Sequence, residues 1–179
     1  MGVPSGYTSA QVVQAVPTGI NSALVLISTT TIGSAVSSVT VSDVFSSTYD
    51  AYEVIVSGGA SSTNNELNLT FGSTSSGYRY GTIANNYSTT GNFSGSTSTT
   101  AIKLIGTGFT TSIALSMRIV NPFLAEYTLV SGNLWLDSGN IGSTRGSLDD
   151  TTSYTAFTLT TSTGTLTGGT IRVYGYTNS

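Results

Sequence analysis

Short segments with apolar residues at every second position recur along this chain, and a turn signal follows almost every one. Leu67-Asn68-Leu69-Thr70-Phe71 is the cleanest example. Tyr52-Glu53-Val54-Ile55-Val56 and Ile113-Ala114-Leu115-Ser116-Met117-Arg118-Ile119 obey the same rule. Successive side chains of a strand point to opposite faces, so period two gathers apolar groups on one side. A helix, with its period of 3.6, would scatter them. Residues 23–27, 32–45, 78–80, 102–105, 127–130, 134–136, 156–160 and 171–176 also read as strands, and past residue 22 no helical stretch competes. Val, Ile, Thr and Tyr, all common here, suit a pleated surface. About ten short strands joined by tight turns predict an all-β fold, an antiparallel β-sandwich of jelly-roll-like design over residues 23–179.

Two segments depart from that pattern. Residues 1–22 are punctuated by Pro4, Gly6, Pro17 and Gly19. Thr8 or Ser9 could cap a short helix over residues 10–16, with Val12, Val13 and Val16 on one side. Fewer than three turns do not hold alone. The segment is therefore expected to be an anchoring arm, through Val12, Val13, Val16 and Pro17, that orders on a neighbouring subunit; the alternative is a frayed terminus. Residues 81–100 are the least strand-like and read as a long loop carrying Tyr87 and Phe93. With Tyr78 and Tyr80 these are candidate surface contacts, since an aromatic ring offers contact area at low entropy cost. The alternative is a solvated loop with its aromatics folded inward.

Composition narrows the chemistry. The chain has no His and no Cys, which removes the commonest general base, the commonest metal ligand and any disulfide. Only 7% of its residues are charged and its net charge is −3, so a phosphate-tracking basic patch is not expected and nucleic acid is excluded as a partner. No apolar run approaches the roughly 20 residues of a membrane span, and the first residues lack the basic-then-apolar order of a secretory signal. Among the carboxylates Asp149-Asp150 is the one adjacent pair. Its Gly, Ser and Thr neighbours mark it as turn-forming, with a glycosidase-like role alongside Asp137 the weaker reading. Lys103 reads as an outward charge, and Arg118 as one that blunts sheet-to-sheet aggregation or meets a carboxylate on a neighbouring copy. Arg172, between Ile171 and Val173 in an otherwise uncharged closing segment, reads as a residue with a specific partner. No catalytic residue and no cofactor is expected. A surface rich in Ser, Thr and Gly carries little charge repulsion and tolerates close packing against copies of itself.

Two stretches carry a resemblance. The first is Thr31-Ile32-Gly33-Ser34-Ala35-Val36-Ser37-Ser38-Val39-Thr40-Val41, leading into Val44-Phe45-Ser46-Ser47-Thr48-Tyr49-Asp50-Ala51-Tyr52-Glu53-Val54-Ile55-Val56-Ser57-Gly58. The second is Thr155-Ala156-Phe157-Thr158-Leu159, then Gly164-Thr165-Leu166-Thr167-Gly168-Gly169-Thr170-Ile171-Arg172-Val173-Tyr174-Gly175-Tyr176, whose last strand is the most specific part. Both resemble small β-sandwich virion surface proteins of tailed phages, notably those infecting marine bacteria and cyanobacteria. The resemblance implies a homo-oligomer, a trimer by expectation, displayed on the capsid or the tail, and it implies no catalytic residues. Its members serve as capsid decoration, head fibres and tail fibres. A single domain with a short arm suits a capsid-decorating cement or knob-like protein attached to the major capsid protein. The alternative is a tail-fibre or tail-adaptor module, attached to a tail protein and binding a host-surface glycan or receptor.

Overall fold

A computed structural model of the chain describes residues 23–86, 89–135 and 140–178. The arm residues Val12, Val13, Val16 and Pro17, the candidate contact Tyr87 and the carboxylate Asp137 lie outside the described residues. Every regular element among the described residues is a strand.

The strands are β1 (Leu24–Thr31), β2 (Ser38–Val41), β3 (Ala51–Ser57), β4 (Ala60–Ser61), β5 (Asn65–Phe71), β6 (Tyr78–Asn86) and β7 (Thr89–Thr99). They continue with β8 (Ile102–Gly108), β9 (Ile113–Val120), β10 (Thr128–Trp135), β11 (Asn140–Leu148), β12 (Phe157–Thr161), β13 (Leu166–Thr167) and β14 (Thr170–Tyr176). Twelve form one open antiparallel array, and β4 pairs with β13 apart from it. The array folds over where β8 meets β9 through Thr107–Ala114 and Gly108–Ile113, which gives the two layers of a β-sandwich. The large layer runs β1-β14-β3-β9-β10-β11-β6-β7, and the small one β2-β12-β5-β8.

The core follows from the period-two segments. Leu67, Leu69 and Phe71 of β5 are fully buried, as are Tyr52 and Val54 of β3 and Ile119 of β9. Each such side chain contributes about 1.5–3 kcal/mol by leaving water. Phe45 lies edge-on to Tyr52 with ring centroids 4.7 Å apart, and also packs near Phe71 and Phe157. Two tyrosines close their own loops: Tyr52 through its hydroxyl to the backbone of Ser46, and Tyr78 through its hydroxyl to the backbone of Phe71.

The two stretches that carry the resemblance meet in space. β3 and β14 are paired neighbours, and the Tyr49 ring lies on Gly175, where an added Cβ would come within 2.6 Å of it. Gly58-Gly59 and Gly168-Gly169 face each other at one end of this pair, all four at positive φ. A Cβ on Gly59 would stand 2.2 Å from the carbonyl oxygen of Gly168, so only glycine fits both the conformation and the space.

At the other end of the large layer, β8 crosses over β10, β11 and β6. It bulges between Ile102 and Gly106, which oppose Leu69 and Leu67, and Leu104 takes φ 58° there. The bulge lets both Ile102 and Ile105 turn inward. They lie on Gly146 of β11 and Gly132 of β10, with Ile102 Cγ2 2.6 Å and Ile105 Cδ1 2.8 Å from where a Cβ would stand. Thr144 Oγ1 donates to the Leu104 carbonyl and Thr107 Oγ1 to that of Trp135, tying the layers further.

Several sequence expectations change. Residues 81–86 and 89–99, expected within a long loop, belong to β6 and β7, which pair with each other. Residues 128–130 and 134–135, expected in two strands, share one strand, β10, and only Ser38–Val41 of residues 32–45 is strand. The short pair β4–β13, with β7 and β11, raises the expected ten or so strands to fourteen among the described residues.

Candidate functional site

The large layer has an inner face on the core and an outer face that no other described element covers. Register places the outer residues in rows. One row runs Leu129–Ser147–Arg79 across β10, β11 and β6. The next is Ser131–Arg145–Gly81–Gly95, continued into β7, then Asn133–Ser143–Ile83–Phe93, then Trp135–Ile141–Asn85. On the other side Arg118 of β9 extends the Ser131 row and pairs in turn with Glu53 of β3.

This face collects what a soluble surface ordinarily scatters. Leu129, Trp135, Ile141, Ile83 and Phe93 are exposed apolar side chains on its β10–β7 half, Phe93 the most open at 79%. Leu24 and Leu26 of β1 and Ile55 of β3 extend the series on the other half. Tyr127, one residue before β10, completes the exposed large apolar residues described. The same face bears Arg79, Arg118, Arg145 and Arg172, every basic residue of the chain except Lys103, which is exposed in the β8 bulge.

Three of those arginines are held by their own chain. Arg79 pairs with Asp149, whose other oxygen accepts from Ser147 Oγ at 2.8 Å. Arg118 donates to the Tyr176 hydroxyl at 2.8 Å and lies 4.8 Å from the ring centroid. Its Nε is 3.8 Å from Glu53, which also accepts from Ser116 Oγ and the Tyr176 hydroxyl. Arg172 donates to Ser57 Oγ at 2.8 Å. Arg145 has no carboxylate partner among the described residues.

Arg145 also stands where three surface depressions meet. One of about 250 Å³ lies between Arg118 and Arg145, lined by Glu53, Ser116, Ser131, Asn133 and Ser143. A second, of about 490 Å³, is bounded by Ile83 and Phe93, and a third of about 290 Å³ by Arg79 and Ser147. Gly81, beside Arg145 in register, leaves the floor clear: a Cβ there would meet nothing within 4 Å.

The expected contact residues are divided by this geometry. Tyr78 is a correction: it is fully buried, because its hydroxyl is spent on the Phe71 backbone and its ring points to the inner face. Burial pushes its hydroxyl up to about 12. Tyr80, also on the inner side, is half-buried and packs against the core. Phe93 and Arg172 are on the outer face, at opposite ends of it. Arg145, Ile83 and Ile141 escaped the sequence reading, since β11 and β6 carry Gly, Thr and Ala inward and their apolar residues outward. The inward small residues make room for β8.

The Asp149-Asp150 pair follows β11 in an irregular segment. Asp150 accepts from the Thr152 amide at 2.6 Å and the Tyr154 hydroxyl at 2.8 Å. Hydrogen bonds from Thr152 and then Tyr154 hold its carboxyl below the usual carboxylate range. A general acid in glycoside hydrolysis needs the opposite shift.

No protein-family model matches the chain, and no curated protein matches it. Among solved structures there is a slight likeness to the VP2 subviral particle of infectious bursal disease virus, with 8% identity and a TM-score of 0.14. It covers 86% of this chain and 40% of that one, and a score so low supports no reading.

Proposed function

We propose that this chain is a non-enzymatic structural protein of a tailed-phage virion that works by contact through the outer face of its large layer. The observation that carries the reading is one-sidedness: the exposed apolar side chains and all arginines share one face, while the opposite face of the same sheet is core. Such a concentration marks a surface built to meet something larger than a small ligand. The engagement of Asp149 and Asp150 in local bonds supports the non-catalytic part. The virion part rests on the resemblance of residues 31–58 and 155–176.

Capsid decoration is the preferred role, with residues 1–22 providing attachment and the assembled form a trimer. Binding across neighbouring subunits stabilises a particle by mass action. Co-sedimentation with purified capsids tests this, together with native mass spectrometry of the free protein. Loss of attachment on deleting residues 1–22, with an unchanged melting transition, is expected. Normal attachment by the truncated chain refutes the arm, and a monomer refutes the trimer. A tail-adaptor role is the second reading, favoured by the ligand-sized depressions around Arg145. Copy number per particle separates the two.

A further inference from the structure

We propose that the groove across Arg145 binds an acidic oligosaccharide, a proposal that rests on the outer face being the contact face. Charge complementarity selects the ligand. Arg145 is the one arginine of the face whose guanidinium has no carboxylate or hydroxyl partner among the described residues. It borders the depression whose far wall is Arg118. A guanidinium offers a planar fork of donors suited to a carboxylate.

The rest of the lining suits a sugar better than an acidic peptide. Ser116, Ser131, Asn133 and Ser143 present hydroxyl and amide groups that exchange hydrogen bonds with ring hydroxyls. Phe93 and Ile83 offer an open apolar platform on the other side of Arg145, against which the C–H face of a pyranose can lie. Arg118 on β9 and Phe93 on β7 are four strand spacings apart, about 19 Å. That distance exceeds one sugar ring, so the fitting ligand is a chain of them, with a carboxylate near Arg145. Glu53 also lines this depression, but its oxygens are engaged by Ser116 Oγ, the Tyr176 hydroxyl and Arg118, which leaves Arg145 as the place for the ligand's carboxylate.

Gly81 gives a clean way to block the groove. Its φ is not in the left-handed region and its Cβ direction is open, so Gly81→Phe fills the floor beside Arg145 without displacing backbone. The test is titration of the full chain with a short oligogalacturonate and with a neutral cello-oligosaccharide of equal length, followed by NMR or calorimetry. The acidic ligand is expected to bind at least about tenfold more tightly than the neutral one, with an advantage that shrinks as salt rises. Arg145→Gln is expected to remove that advantage, and Gly81→Phe to abolish binding of both at an unchanged melting temperature.

Equal affinity for the neutral oligosaccharide overturns the proposal, as does full binding by Arg145→Gln. A drop in oligomeric state in Arg145→Gln would assign the guanidinium to a contact between copies and also overturn it. Failure of the parent to sediment while it binds the acidic ligand sinks the capsid reading alone.

Discussion

Replacing Gly132 with Ala puts a methyl group where β8 rests on β10. The new carbon would stand 2.8 Å from Ile105 Cδ1 and 2.9 Å from the Ile105 carbonyl oxygen, where ordinary contacts begin at 3.4 Å. Overpacking of this kind costs about 1–3 kcal/mol. Ile105→Val removes the Cδ1 at the price of a small cavity, about 0.5–1.5 kcal/mol alone. In the double variant the nearest clash is gone but the carbonyl one persists. The two costs should then sum to less than their separate values, with a coupling of at least about 0.5 kcal/mol. Urea unfolding reads this directly: with a slope of about 2 kcal/mol/M, a loss of about 2 kcal/mol moves the midpoint by about 1 M. The slope itself should not change. Strict additivity, or a Gly132→Ala midpoint equal to the parent's, would refute the close seating of the two layers behind the outer face.

Tyr78→Phe is expected to lose about 1–2 kcal/mol at neutral pH, because the Phe71 amide is left without its acceptor. The parent's hydroxyl is raised to about 12 by burial, so its contribution is complete below pH of about 10 and lost as pH climbs towards about 12. Alkaline denaturation should therefore be shallower in the variant than in the parent. Gly175→Ala drives a methyl into the Tyr49 ring, and a melting temperature several degrees lower is expected by scanning fluorimetry. Asp150 is held low chiefly by Thr152, so its stabilisation is present above the ordinary carboxylate range and lost as pH falls through the folded value. Asp150→Asn should flatten the acid side of the stability profile, and an unchanged profile would show that these bonds do not matter.

How much of this was legible depends on what each strand faces. β3, β5 and β9 lie between a packed core and an open outer side, so their alternation is clean and readable from residues such as Leu67, Leu69 and Phe71. β6, β7 and β11 invert the rule. Their inward positions include Thr82, Thr144 and Gly146, because β8 runs close above them, while Ile83, Ile141 and Phe93 point outward. A segment with small polar residues inside and apolar residues outside looks like a loop to any rule based on burial. Arg145 was invisible for the same reason: its meaning depends on Gly81 and Arg118, which only strand register brings beside it. A tyrosine whose hydroxyl closes its own loop, as that of Tyr78 does, is indistinguishable in sequence from one that greets solvent.

Strand order also governs when the fold can form. β14 is hydrogen-bonded on both sides, to β1 and β3, and β12 likewise to β2 and β5. During synthesis the early strands β1, β2, β3 and β5 must therefore wait for partners that emerge last. The local run β9-β10-β11 meets no such delay and can pair as it appears. Closing pairs so distant in sequence is slow, and waiting edges are open to pairing with other chains. A chain stopped before β12 would lack a central strand in each layer, so it should yield aggregate and not a smaller soluble domain.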